Sequence, residues 1–434
     1  MEDVDCIVVG AGLSGLACAQ TLVQNSKSVR VLEASHVPGG RVATDSVDGF
    51  RLDRGFQVYL DSYPEGQRFL NYPSLEFGAF EPGALVAHGG RLVPVSDPWR
   101  RPFAAIRSVL SGAVGMPDAL RIARLRSEVL AGVRRGDIDP SLNRVHGEKT
   151  TREELISRGF SSRFIKLFFE PFFGGVFLER NLATAASVFE FTFAMFSSGR
   201  ACLPAGGMSS IPQQMAKQLP ATCLQTDATV VQIKHSVTGG GEVVLADGRR
   251  FCAGSIIVSS AAIANSTLFS EDVPTEWQPP LWKGTRLVAF ESPKKPPCGQ
   301  MLVVSAEPVT AGPIDNVSVP SAVTKGYAPD GKNLIYVSVR SDWEGGDDQL
   351  TSAVRRQAEA WFGPDATLWN HLATVKVPKA LPIETPLSRQ QRPRSSCVSS
   401  GLFLCGDHLT SSSINGALVA GRLAAEDVLR SYYR

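Results

Sequence analysis

Cys6-Ile7-Val8-Val9-Gly10-Ala11-Gly12-Leu13-Ser14-Gly15 is a short apolar run broken by three glycines, and Leu16, Ala19 and Leu22 continue it at helical spacing. The reading is strand, glycine turn, helix. Gly10 permits the tight turn, Gly12 lets the backbone approach a diphosphate, and Gly15 lets the helix pack closely on the strand. The helix start, which includes Ser14, offers free N–H groups to phosphate. A second apolar run, Val29-Arg30-Val31-Leu32, ends in Glu33 and Ala34. A carboxylate about 20 residues beyond the turn is expected to hold the ribose hydroxyls of a dinucleotide. Gly39-Gly40-Arg41 then forms a second glycine turn, whose N–H groups and guanidinium are expected at the same diphosphate.

Working outward, Glu33-Ala34, four further residues and Gly39-Gly40-Arg41 resemble the flavin-containing amine oxidase and phytoene desaturase superfamily. The resemblance implies non-covalent FAD as the cofactor. Asp53-Arg54-Gly55-Phe56-Gln57-Val58 is similar to the family segment whose backbone lies near the flavin ring, which implies cofactor contacts for Gly55, Phe56, Gln57 and Val58. Leu203-Pro204-Ala205-Gly206-Gly207-Met208 resembles the turn by which the chain re-enters the FAD domain. Val230 matches the position whose backbone meets the adenine, and Ile256–Ala261 resembles a buried strand ending near the cofactor. Phe403-Leu404-Cys405-Gly406-Asp407 ends a further strand, and Ile414-Asn415-Gly416-Ala417 begins a helix. By resemblance, Gly406 and Asp407 meet the ribityl or diphosphate region, and Ile414, Asn415 and Ala417 face the flavin's pyrimidine end. A helix N-terminus there would stabilise the negative charge of reduced flavin.

The implied fold is α/β: a discontinuous Rossmann-type FAD-binding domain from residues 1–75, 200–262 and 385–434, with a mixed α+β substrate domain from 76–199 and 263–384. Runs at 285–290, 300–304 and 333–339 read as strands there, and 349–362 as a helix with Val354, Ala358 and Trp361 apolar. Eleven of the 22 phenylalanines fall between Phe160 and Phe196, which reads either as a packed helical core or, for Phe168, Phe172 and Phe177, as the wall of an apolar tunnel. Residues 100–135 carry Arg100, Arg101, Arg107, Arg121, Arg124, Arg126, Arg134 and Arg135 against Asp118 and Glu128. Such a cationic, partly amphipathic stretch suits a solvated face or peripheral contact with anionic lipid.

Across 434 residues, 43% hydrophobic and 20% charged content is that of a folded chain, and a net charge of +2 argues against a nucleic-acid partner. The eight cysteines show no C-x-x-C pair, so reduced thiols are expected, and the six histidines (His36, His88, His146, His235, His371, His408) form no metal-ligand pattern. No apolar run is long enough to span a bilayer. Met1–Asp5 are acidic and lead directly into the first strand, so no secretory or transit segment is expected, and plastid or cytoplasm is the expected location.

No protein nucleophile is evident, which fits chemistry at flavin N5. Amine oxidases of the family place a tyrosine of an aromatic cage just before the final helix, and the matching residue here is Ser413. No cysteine lies between Thr410 and Asn415 to form a thioether with flavin. Lys283 is read as a surface lysine. The expected activity is desaturation of a hydrophobic, isoprenoid- or carotenoid-like substrate by hydride transfer to N5, with a quinone or oxygen as electron acceptor. The alternatives are an amine or protoporphyrinogen-type oxidase, a polyene cis–trans isomerase, and a non-catalytic FAD-binding protein.

Overall fold

Strand β1 (Val4–Val9) lies inside an eight-stranded sheet and is buried on both faces, which is why its apolar run is continuous rather than alternating. Strand β2 (Val29–Leu32) and then Leu224–Gln225 flank it in parallel on one side, and Arg250–Ser259 and then Leu402–Cys405 on the other. A hairpin of Val230–His235 and Gly241–Leu245 runs antiparallel against the start of Arg250–Ser259. The computed structural model describes residues 4–97, 99–101, 114–139, 147–235, 239–259, 268, 280–393 and 395–432. Met1–Asp3, Arg107, His146, Ser260 and Ala261, named above, lie outside the described residues.

From β1 the chain turns into helix α1 (Leu13–Gln24), which buries Leu16, Ala19 and Leu22. Glycine at position 15 is a steric requirement, since a Cβ there would sit 2.0 Å from the Gly10 carbonyl oxygen. The C-terminal helix, Ile414–Ser431, packs along α1 just as closely: a Cβ on Gly421 would lie 2.1 Å from the Ser14 carbonyl oxygen.

A second sheet has seven strands in the order Asn370–Pro382, Trp282–Ser292, Asn333–Val339, Ile314–Ser318, Leu302–Ser305, Ala84–His88 and Arg91–Val95. Side chains alternate between its two faces. Val288, Val317 and Val337 pack against the helix Asp347–Phe362, through Leu350, Val354 and Ala358. Leu287, Ala289, Val304 and Tyr336 face the main core shared with the first sheet and the phenylalanine-rich helices. The helix expected from residue 349 begins at Asp347, and Asp347 and Asp348 in its first turn favour the positive end of its dipole.

All eleven phenylalanines of residues 160–196 make ring contacts, with Phe173 at the centre, touching Phe169, Phe172, Phe177, Phe189, Phe193 and Phe196 at centroid distances of 4.9 to 6.5 Å. Phe168, Phe172 and Phe177 stack or tilt onto neighbours in this cluster, Phe177 buried and Phe168 and Phe172 half-buried at its margin. Aromatic rings fill the volume edge to face, as their quadrupoles prefer.

Asp53, fully buried, joins these parts. Its carboxylate accepts from Thr44 Oγ1 at 2.6 Å, the Met208 N–H at 3.0 Å and the Tyr327 hydroxyl at 2.7 Å. Burial pushes its carboxyl up to about 6, against the pull of those hydrogen bonds.

Two outcomes follow from this packing. Phe173→Ala is expected to cost about 3–5 kcal/mol in chemical denaturation, and Phe168→Ala, at the half-buried margin, distinctly less; equal losses would show that the cluster has no centre. Asp53 keeps its proton in the folded state to a higher pH than in the unfolded state, so its contribution to stability falls as pH rises from about 4 to about 6. Asp53→Asn removes that slope and should gain up to about 3 kcal/mol on the wild type between pH 4 and pH 7. A pH-independent difference between the two proteins would mean that Asp53 is already ionised at pH 4.

Candidate functional site

The glycine turn and the ends of β1 and β2 meet at the carboxyl edge of the parallel strands, where such sheets bind ligands. The Ala11 N–H donates to Glu33 Oε2 at 2.7 Å and the Ser35 N–H to Oε1 at 2.9 Å, so the buried carboxylate is oriented by the turn itself. Ala34 beside it is exposed. The second turn folds onto the first: the Gly39 N–H donates to the Ala11 carbonyl at 2.9 Å, and a Cβ on Gly40 would lie 3.6 Å from Gly12 Cα. Gly12 caps α1 without a side chain, no acid occupies the first turn, and a Cβ at Gly12 would meet nothing within 4 Å. The result is an open, positively polarised cradle next to buried Ser14, and its shape and charge fit a dinucleotide diphosphate. The Ala228 N–H donates to the Glu33 carbonyl at 2.8 Å, which brings Val230, two residues on, to the Glu33 side.

Arg41 connects this end to the rest of the site. Its guanidinium grips Asp407 with two bonds of 2.6 and 2.8 Å, donates to the Ala380 carbonyl at 3.1 Å and lies 5.0 Å from the Trp282 ring centroid. The guanidinium expected at the diphosphate is therefore also the partner of a buried carboxylate whose unpaired charge would oppose that anion. The Arg41 carbonyl accepts from Gln57 Nε2 at 2.9 Å. Gly55 packs against Thr285 and Val377 of the second sheet, Phe56 meets Phe80 edge-on at 6.1 Å, and Val58 packs on the main core.

Gly406 and Asp407 follow the last parallel strand, and the C-terminal helix starts seven residues after Asp407. Ser413 is its N-cap: Oγ accepts the Gly416 N–H at 2.9 Å and lies 3.1 Å from Ser411 Oγ. Asn415 Oδ1 accepts the Glu65 N–H at 3.0 Å, and Ile414 and Ala417 are half-buried at the same end. The structure thus brings Gly12, Glu33, Gly40 and Val230 together around the glycine turn, and Arg41 joins this group to Asp407 directly and to Gln57 through its carbonyl, while Ile414, Asn415 and Ala417 lie at the start of the C-terminal helix.

One expectation is corrected. Lys283 is not on the surface: its side chain is 14% exposed, pairs with Glu179 at 2.9 Å and donates to the Phe177 carbonyl at 3.0 Å. Its strand position turns it toward the helical insertion, and Glu179 compensates the buried charge.

Sequence reasoning also missed the polar residues behind the turn that leads into the C-terminal helix. His408 is buried beside Asp407, and burial pushes its imidazole down to about 4, so it is neutral near pH 7. Glu384, Arg389 and Arg392 form a buried ionic group near the Thr410–Ser413 segment. Adjacency to Gly406-Asp407 was the only signal for His408, and isolated charges far apart in the chain give none.

Among the described residues no group of His, Cys, Asp and Glu is placed to hold a metal, and no helix is long and apolar enough to cross a membrane. The eight cysteines are free thiols. A cavity of about 580 Å³ lies behind the second sheet between Trp343, Gln357 and Trp361, and none of Gly10, Gly12, Gly15, Gly39 and Gly40 lines it.

Comparison with known proteins agrees with this geometry. The family model described as flavin containing amine oxidoreductase matches residues 13–429. A phytoene dehydrogenase of Streptomyces griseus is 36% identical over 99 residues, 23% of this chain and 17% of that protein. A coproporphyrinogen III oxidase of Propionibacterium freudenreichii subsp. freudenreichii is 23% identical over 411 residues, covering 80% of this chain and 75% of that protein. Other matches to curated relatives span as little as 11% of their length. Putrescine oxidase, solved with putrescine bound, superimposes with a TM-score of 0.75 over 99% of both chains at 16% identity, which establishes the shared fold. The chain belongs to the flavin-containing amine oxidoreductase family, and its cofactor is FAD.

Proposed function

We propose that this FAD-dependent oxidoreductase desaturates a hydrophobic, isoprenoid- or carotenoid-like substrate and passes the electrons to a quinone or oxygen. The observation that carries the reading is the use of Ser413. Its hydroxyl is spent on capping the C-terminal helix, at the position where an amine-binding cage would need an aromatic ring. An apolar polyene needs no such cage. The match to a phytoene dehydrogenase supports the same branch. The long alignment with a coproporphyrinogen III oxidase favours a second reading, oxidation of a porphyrinogen.

In this reading Gly10, Gly12, Ser14, Gly15, Gly40 and Arg41 hold the diphosphate, Glu33 with Ala34 the ribose, and Val230 the adenine. Gly55 to Val58, Gly406, Asp407, Ile414, Asn415 and Ala417 hold the flavin half. When bound, FAD supplies the hydride acceptor. The chain binds, orients and excludes water. The helix Met116–Arg135 carries exposed Met116 and Leu120 near Arg121 and Arg124, and we assign it to peripheral contact with anionic membrane, from which such a substrate would be drawn, in plastid or cytoplasm.

The deciding experiment follows anaerobic flavin bleaching with phytoene-like polyenes in anionic liposomes, with coproporphyrinogen and protoporphyrinogen, and with a panel of amines. Bleaching by the polyene alone is the expected result. Bleaching by a porphyrinogen selects the second reading, and bleaching by an amine overturns the Ser413 argument. Separately, Glu33→Gln keeps an acceptor for the Ala11 N–H, so the apoprotein should fold while FAD binds about 10- to 100-fold more weakly. Unchanged affinity would remove Glu33 from the ribose.

A further inference from the structure

The segment Thr410–Ser413 leads into the C-terminal helix, and a buried ionic network holds it from behind. The Ser412 N–H donates to Glu384 Oε2 at 2.8 Å, and Ser412 Oγ donates to the Pro382 carbonyl at 2.9 Å. Arg392 binds both the Thr410 carbonyl and Glu384 Oε1, and Arg389 reaches the same carbonyl at 3.4 Å and Glu384 at 3.6 Å. The side chains of Glu384 and Arg389 are 3% and 4% exposed, so these charges have little water to fall back on.

The network does not stop at the FAD-binding part of the chain. Arg389 Nε also pairs with Glu148 at 3.2 Å, and Glu148 in turn accepts the Ser187 N–H at 3.0 Å and the Ser187 hydroxyl. The Glu384 carbonyl accepts the Ala185 N–H at 2.8 Å, at the start of the helix Ala186–Ser198 that carries Phe189, Phe193 and Phe196. Glu384 therefore touches the flavin-side turn with its side chain and the phenylalanine-rich insertion with its backbone. Two carboxylates and two guanidinium groups balance in charge.

Resting on the FAD reading above, we infer that Glu384 is a positioning residue that couples the helical insertion to the flavin-side turn. Its carboxylate fixes the Ser412 amide and orders the two arginines on the Thr410 carbonyl, while Glu148 ties Arg389 to the insertion. A shift of the insertion is transmitted as a shift of the residues that start the C-terminal helix. Removing the Glu384 charge also leaves one positive charge in excess, which favours the negative charge of reduced flavin.

The test uses the FAD-loaded protein and reads the visible absorbance and circular dichroism of the bound flavin, its midpoint potential and FAD affinity. Glu384→Gln is expected to alter the visible dichroism, move the potential to a more positive value and weaken FAD about tenfold. Glu148→Gln lies on the insertion side and should change the visible dichroism in the same direction while FAD affinity stays within about twofold. Should Glu384→Gln not fold, the Glu148→Gln dichroism alone decides. Lower thermal midpoints with wild-type dichroism and potential in both variants would make the network purely structural and overturn the inference. Failure of the underlying FAD assignment is recognised separately, by a Glu33→Gln variant whose FAD affinity does not change.

Discussion

Arg41 and Asp407 are 366 residues apart in the chain, and the joining of the glycine turns to the end of the last parallel strand depends on their meeting. The pair ties the second glycine turn to the end of the last parallel strand. Desolvating both ions offsets most of their attraction, so the contact is a poor source of stability, but leaving either one alone would bury an uncompensated charge. Its effect is therefore one of arrangement: wrong relative placements of the two ends cost far more than the right one gains. Gln57 on the Arg41 carbonyl extends the same constraint to the Gly55–Val58 segment.

The insertions are fastened by a similar device. Leu178 and Leu182 both adopt left-handed backbone (φ 52 for each), a conformation that costs a β- or γ-branched residue free energy unless the surroundings enforce it. Between them, Glu179 pairs with Lys283 and Arg180 with Asp315, which clamps the turn to two strands of the second sheet. The phenylalanine cluster then fills the space behind the clamp. Asp53 completes the junction by accepting hydrogen bonds from Thr44 before the first insertion, Met208 between the two and Tyr327 within the second.

A shared scaffold says little about the substrate. Putrescine oxidase has this fold at 16% identity, and the sequence matches include proteins named for phytoene and for coproporphyrinogen. In the reading proposed above the informative residue is Ser413, whose hydroxyl is consumed by a helix cap.

Local sequence was enough for the dinucleotide turn, because a glycine at 15, an open Gly12 and an acid after the second strand are demands made within one strand–helix–strand unit. It was also enough for the presence of a helix after that turn and for the start of the C-terminal helix at Ile414, where apolar spacing is a short-range signal. The partner of Arg41, the burial of Lys283 and the network around Glu384 were not legible there. Each joins residues that are distant in sequence, so only the folded chain, by taking them out of water together, decides which charges must pair.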